Sequence, residues 1–118
     1  MTVRRLPTHT DARGRLLVAE DADIGFAVRR VFAITGAPAG MVRGDHRVPC
    51  RQAMVLVSGT ATVWLSGDRD AQASTYHLTD PGDTLDLSDG VWVRYALSGP
   101  EAAVIVFADS AYEGRANP

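Results

Sequence analysis

His46 lies within a stretch bounded by two glycines, Gly40 and Gly59. Histidine changes its charge near neutral pH, so it is the usual general acid or base in proteins. Gln52 follows six residues later and carries an amide that can orient a ligand or hold an oxyanion. We therefore expect proton-transfer chemistry here, with His46 as the leading acid or base and Gln52 as its polar partner.

Tyr95 is the second candidate for catalysis. It has the same strand parity as Val91 and Val93, so it is expected to enter the same cavity wall. Its hydroxyl either donates a proton to an oxyanion or lies at the rim of an apolar core. Arg43 has the opposite parity to His46, which predicts a solvated arginine unless a β-bulge turns it inward.

Arg13 is a candidate anion-binding residue, because it follows a turn and precedes a strand. Its guanidinium can bind a phosphate or a carboxylate with two hydrogen bonds. The alternative is a surface ion pair with Asp11 or Glu20, which contributes little to stability. These two interpretations of Arg13 stay open at this point.

Several large apolar residues are expected either in the core or in the wall of a ligand cavity. Trp64, Trp92 and Met54 are assigned to the wall, as substrate-binding residues. Cys50 is expected to be a buried and unreactive thiol.

The composition predicts one soluble domain spanning residues 1–118. A net charge of −2 gives no reason to expect nucleic acid or a membrane surface as a partner. All 12 basic residues are arginine, which excludes Schiff-base chemistry. The single cysteine and the absence of an apolar signal segment fit a cytoplasmic protein.

Nine or ten short apolar stretches, separated by glycine, proline and aspartate, predict an all-β fold. The architecture expected is an antiparallel sandwich or barrel without a convincing helix. Residues 52–57 and 60–65 are predicted to form a hairpin around Ser58 and Gly59. Residues 21–25 are predicted to form a polar loop.

The spacing of these residues resembles the first cupin motif, G-x5-H-x-H-x3-E-x6-G. Gly40, His46, Gln52 and Gly59 occupy four of its positions, while Val48 stands where the second histidine is expected. The second motif keeps Gly82 and Gly90 but has Val93 at its histidine. The resemblance implies a cupin jelly-roll barrel, as in RmlC-like proteins.

One branch of cupins is particularly similar, the nucleotide-linked 4-keto-6-deoxy-sugar 3,4-ketoisomerases, also called WxcM-like cupins. The similar segments are 11–16, Glu20, 30–32, 42–46, 52–59, Trp92 and 109–112. The family implies a dimer that moves a carbonyl between adjacent sugar carbons without a metal or other cofactor. It also implies that Arg13 lies by the nucleotide phosphates, that His46 is the first histidine of the pair and that Glu20 is a second acid.

Three proton-handling positions of this family are apolar here: Val48, Val93 and the tyrosine position near Ala33 or Ile34. The sequence therefore favours a metal-independent isomerase or cyclase acting on a small biosynthetic molecule. The alternatives are the dTDP-4-keto-6-deoxy-sugar 3,4-ketoisomerase reaction, with weak or absent activity, and a non-catalytic ligand-binding cupin. A homodimer is expected, because Pro7 interrupts the N-terminal strand and leaves a free sheet edge.

The replaced histidines also predict that the purified protein holds no stoichiometric transition metal. A protein metal site needs three or four ligands, and valine cannot be one. Elemental analysis should find well under one equivalent of metal, and a chelator should leave the melting temperature unchanged. Near one equivalent of zinc, iron or nickel would contradict this prediction.

Overall fold

The computed structural model describes residues 2–111. Within this range the chain forms eleven strands and one short helix, in the order β1 (Val3–Arg5), β2 (Thr8–Asp11), β3 (Gly14–Leu17), α1 (Asp21–Ile24), β4 (Arg30–Thr35), β5 (Val42–Arg47), β6 (Gln52–Ser58), β7 (Ala61–Ser66), β8 (Ser74–Leu78), β9 (Asp83–Leu87), β10 (Trp92–Leu97) and β11 (Ala103–Ala108). The expected similarity at Tyr112 lies outside the described residues.

Two antiparallel sheets pack face to face. One has five strands in the order β1-β9-β6-β11-β4, and the other has four in the order β5-β10-β7-β8. A separate two-stranded hairpin is formed by β2 and β3. The all-β jelly-roll prediction is confirmed, but the two sheets do not close into a hydrogen-bonded barrel. They form a sandwich with its core between the sheets.

The position of β6 between two hydrophobic cores explains why its sequence is apolar at nearly every position. Met54 and Leu56 face the core between the sheets, whereas Ala53 and Val55 face a second core on the outside of the five-stranded sheet. Because both faces of β6 are buried, the usual alternation of apolar and polar residues is absent.

The N-terminal segment covers that outer face. Leu6 and Ile24 pack on β6, and Arg4 fastens α1 to the sheet. The Arg4 guanidinium binds the Asp86 carboxylate through two nitrogens, at 2.9 and 3.0 Å, and also donates to the carbonyls of Asp23 and Ile24. The prediction of a loop at residues 21–25 is wrong in part, because residues 21–24 form the one-turn helix α1, with Glu20 as its N-cap.

The predicted hairpin of β6 and β7 is also wrong. β6 pairs with β9 and β11, whereas β7 pairs with β8 and β10, so the turn at Ser58 and Gly59 carries the chain from one sheet to the other. Arg13, expected to follow a turn and precede a strand, lies in the turn between β2 and β3. The described residues include no helix long and apolar enough to cross a bilayer.

The sheet-crossing turn gives a stability prediction. Gly59 has φ +66°, and a Cβ placed there would lie 2.6 Å from the Cβ of Ala102. Gly59→Ala should therefore lower the free energy of unfolding by roughly 1–2 kcal/mol for the left-handed backbone, and by roughly 1–3 kcal/mol more for the overlap. Urea denaturation measures this loss.

Gly40→Ala is the matched control. Gly40 has φ +73°, but a Cβ there would meet no atom within 4 Å. It should show the backbone cost alone, so equal losses in the two variants would contradict the predicted overlap at Gly59.

Candidate functional site

A β-bulge in β5 determines which of its side chains enter the space between the sheets. His46 pairs with Val93 of β10 and Gly44 pairs with Arg94, so Asp45 is the extra residue. Gly44 and Asp45 both have positive φ, at 82° and 60°. The bulge shifts the alternation by one position. Arg43, which pairs with Tyr95, therefore faces inward together with His46.

The outer side of the bulge is held by the Asp45 carboxylate. It accepts hydrogen bonds from the Trp92 indole at 3.0 Å and from Nε of Arg94 at 2.8 Å. The Trp92 hydrogen bond lowers the pKa of Asp45 most, and the Arg94 hydrogen bond and charge lower it further, against an opposing effect of desolvation. Asp45 thus stays ionised well below neutral pH, and the bulge is held by charge at physiological pH.

The His46 ring is oriented by its own backbone. Nδ1 lies 2.8 Å from the Arg47 carbonyl oxygen. A carbonyl only accepts hydrogen bonds, so Nδ1 carries the hydrogen and the lone pair of the neutral ring is on Nε2. Nε2 is buried and has no hydrogen-bond partner among the described residues. The basic nitrogen therefore faces the cavity.

Tyr95 enters the same cavity, as its strand parity predicted. Its side chain is buried and its hydroxyl makes no well-formed hydrogen bond within the described structure. Burial raises the pKa of the Tyr95 phenol, and the neighbouring Arg43 guanidinium partly opposes that rise. The phenol is therefore protonated at neutral pH and suits the role of a proton donor.

The cavity is narrow and partly open to solvent, with a volume of about 10 Å³. The four-stranded sheet contributes His46, Val93 and Tyr95. The five-stranded sheet contributes the opposite wall: Phe32, Gln52, Met54, Leu87 and Val106. The expected positions of Gln52 and Met54 in the cavity wall agree with the structure, and the Gln52 amide lies 3.9 Å from the buried Cys50 sulfur.

The two tryptophans were predicted to line the cavity, and this prediction is wrong. Trp92 and Arg94 alternate with Val93 and Tyr95, so they lie on the outer face of the four-stranded sheet. Trp64 pairs with Arg94 and shares that outer face. The guanidinium of Arg47 lies 5.7 Å from the Trp92 ring centre. These aromatic rings support the sheet from outside.

Arg13 and Glu20 are likewise absent from the cavity wall. The Arg13 side chain is 90% exposed and pairs with Asp11 at 2.6 Å, which is the surface ion pair considered from the sequence. Glu20 is exposed at the start of α1, where its backbone N–H donates to the Asp23 carboxylate. Arg13 therefore does not line the cavity of this chain, and its role in binding phosphate stays a prediction.

The donors present do not fit a metal ion. The described residues contain no group of three or more His, Cys, Asp or Glu side chains that could hold one. Val93 lines the cavity beside His46, and Val48 is buried in the core. The site thus offers one imidazole, one phenol and one guanidinium.

A two-sheet jelly roll with a histidine-bearing cavity between its sheets defines a cupin. The sequence model of the family described as WxcM-like, C-terminal (FdtA) matches residues 1–116. The chain belongs to this family, as the sequence motifs predicted. A search of curated proteins gives no match.

Solved structures of sugar 3,4-ketoisomerases share the fold. A mutant of QdtA from Thermoanaerobacterium thermosaccharolyticum, in complex with TDP-4-keto-6-deoxyglucose, has a TM-score of 0.83 and 22% identity over 96% of this chain and 82% of that chain. The TDP-quinovose 3,4-ketoisomerase WlaRB from Campylobacter jejuni has a TM-score of 0.80 and 21% identity over 98% and 88%. WlaRA, a TDP-fucose-3,4-ketoisomerase from the same organism, has a TM-score of 0.79 and 15% identity over 95% of this chain and 83% of that chain.

Arg43 is the site residue that strand alternation assigned to the wrong face. The signal in the sequence is the pair Gly44 and Asp45, two residue types that adopt positive φ more readily than others. Within a strand such a pair indicates a bulge. The bulge was considered for Arg43, and the structure contains it.

The contact between Arg43 and Tyr95 gives a titration prediction. Arg43→Met removes a positive charge that favours the phenolate, so the pKa of Tyr95 should rise further. NMR of tyrosine labelled with ¹³C at Cζ resolves this titration from those of the other tyrosines. Arg47→Met is the matched control, because Arg47 lies on the outer face of the same strand and should leave Tyr95 unchanged. A lower pKa in Arg43→Met would contradict the assignment.

Proposed function

We propose that this protein is a metal-independent isomerase of a nucleotide-linked 4-keto-6-deoxy sugar, moving the carbonyl between C4 and C3. The family match supports this more closely than it supports a general isomerase or cyclase. The single observation that carries it is the buried Nε2 of His46, which faces a cavity also containing a protonated phenol. One base and one acid are the groups that enolisation of a ketone needs.

The reaction begins at C3, next to the C4 ketone. Nε2 of His46 takes the C3 proton, the C3–H electron pair forms the C3=C4 bond, and the carbonyl electron pair moves to O4. Tyr95 gives its hydroxyl proton to O4. The products of this step are a neutral enediol, an imidazolium and a phenolate, so the charge is balanced.

The second step reverses these roles. The O3 proton passes to the Tyr95 phenolate as the C3=O bond forms, and the C3=C4 electron pair takes the proton from Nε2 at C4. Both protein groups return to their starting states. Arg43 contributes by stabilising the transient phenolate, which is consistent with its opposition to the raised pKa of Tyr95.

Gln52 orients the sugar from the opposite wall. Its side chain is buried at 5% exposure and lines the cavity. A buried amide offers both a donor and an acceptor to the ring hydroxyls. The surrounding Met54, Leu87 and Val106 form an apolar wall that limits the access of water to the reacting atoms, which slows proton exchange with solvent without preventing it.

The proposal predicts exchange of the C3 proton of dTDP-4-keto-6-deoxyglucose with deuterium oxide, followed by ¹H NMR. The native protein should catalyse slow exchange, because an acid/base group is typically worth ~10²–10⁴ in rate and the valines at 48 and 93 supply none. His46→Asn should lower the exchange rate by about 10² or more.

His77→Asn is the matched control. His77 is exposed and lies near Thr62 on the outside of the four-stranded sheet, so its loss should leave exchange unchanged. Exchange that survives in His46→Asn would remove His46 from the mechanism. Binding of the dTDP sugar without any exchange would favour the second candidate, a ligand-binding cupin, for which the apolar Val93 beside His46 is the supporting observation.

A further inference from the structure

A second cavity lies at one end of the four-stranded sheet, between the turn that joins β7 to β8 and the turn that joins β9 to β10. It is open to solvent and has a volume of about 370 Å³. The cavity that contains His46 is much smaller, and the two cavities share no wall residue. Binding pockets for small molecules commonly have volumes of roughly 300–1,000 Å³. The second cavity is therefore large enough for one sugar ring.

Arg47 holds the two sides of this second cavity together. One of its guanidinium nitrogens donates to the carbonyl oxygens of Gly67, at 3.0 Å, and of Gly90, at 2.9 Å, and both glycines line the cavity. Within the turn between β7 and β8, the Ser66 hydroxyl donates to the Asp68 carbonyl oxygen at 2.7 Å. The two turns are thus held in place before any ligand binds, which lowers the entropic cost of binding.

The second cavity offers neutral polar groups and one negative charge. Four of its side chains, Gln72, Ser74, Ser88 and Asp89, make no hydrogen bond or ion pair with another described residue. No arginine or histidine is among the described residues that line it. An anionic ligand would therefore find no positive partner, and one carboxylate is too few for a metal ion. These groups favour an uncharged ligand with several hydroxyls.

The remaining side chains of the lining are apolar or aromatic. Leu65 is buried, and the half-buried Tyr76 and Val91 pack against the core between the sheets. The C–H groups on one face of a pyranose pack well on such a surface, and best on an aromatic ring, whose face carries partial negative charge. The hydroxyls at the edge of the pyranose both donate and accept, so they match the polar groups of the lining.

We propose that the second cavity binds an uncharged saccharide through one pyranose unit, separately from the reaction at His46. The Asp89 carboxylate accepts hydrogen bonds from two neighbouring ring hydroxyls, and these are the strongest polar contacts because the acceptor is charged. Gln72 and the serine hydroxyls bind the other hydroxyls, and the Tyr76 ring packs on the C–H face. The site requires neither a nucleotide nor the isomerisation proposed above.

An NMR titration of the native full chain tests this proposal. The probes are methyl α-D-glucopyranoside, methyl α-D-galactopyranoside and methyl α-D-mannopyranoside, each added to ¹⁵N-labelled protein. At least one should shift the backbone amides of Ser74, Tyr76 and Asp89, with a Kd of about 1–10 mM for a ligand of this size. The amides of His46 and Tyr95 should not move. No saturable shift in the second cavity with any of the three probes, up to about 100 mM, would overturn the inference.

Two variants separate a direct contact from the charge of the surrounding turns. Asp89→Asn should weaken binding by roughly 5- to 10-fold, because a neutral acceptor replaces a charged one. Asp70→Asn is the matched control, since it removes the same charge from an exposed residue of the turn between β7 and β8 that does not line the cavity. Unchanged binding in Asp89→Asn, or an equal loss in Asp70→Asn, would overturn the inference.

Two charged probes test the class of ligand. The α-1-phosphate of the sugar that binds should bind more weakly than its methyl glycoside, because its charge has the same sign as that of Asp89. Tighter binding of the phosphate would contradict the assignment to an uncharged saccharide. dTDP should leave the amides of the second cavity unshifted. Competition between dTDP and the glycoside there would make the cavity part of a nucleotide site and overturn the proposal of a separate one.

Discussion

Asp45 is the extra residue of the β-bulge in β5, because it has no partner in the ladder with β10. The strand accommodates the bulge with two successive positive φ angles, at Gly44 and Asp45. The outer face fixes this arrangement, because the Asp45 carboxylate binds Trp92 and Arg94 there. As a result of the bulge, the side chains of Arg43 and His46 both face the core between the sheets. If Asp45 were paired with Arg94 in a regular ladder, Gly44 would pair with Tyr95 and Arg43 would face outward. The charge of the cavity therefore depends on a hydrogen-bonded carboxylate outside it.

Much of this arrangement could be predicted from strand alternation. β10 alternates without interruption, so Val93 and Tyr95 were correctly placed inside. The same rule puts Trp92 outside, although its large apolar side chain had suggested a place in the cavity wall. β5 could not be predicted by alternation alone, because a bulge resets the count. The strand partners of β6 could not be predicted from the local sequence either. A glycine turn has the same sequence whether it joins two paired strands or two packed sheets.

Arg13 and Glu20 show a different limit. Their family positions suggested a role at the site, but each has a local structural task in the chain: Arg13 pairs with Asp11, and Glu20 begins α1. A residue on a projecting hairpin can reach a cavity only through the assembly in which the hairpin takes part. One sequence carries no direct record of that assembly, so these two assignments stay predictions.

His46 and Tyr95, the two acid/base groups of the cavity, lie on the same sheet. Buried polar groups without partners are rare in folded proteins, because each costs free energy of desolvation. Nε2 of His46 and the Tyr95 hydroxyl are both buried without a hydrogen-bond partner among the described residues. A substrate with a ketone and an adjacent hydroxyl supplies the missing partners. In the proposed reaction the Tyr95 hydroxyl donates to the ketone oxygen, and Nε2 of His46 faces the carbon that loses its proton. A ligand that supplies these partners therefore offsets a desolvation cost that the folded protein otherwise bears.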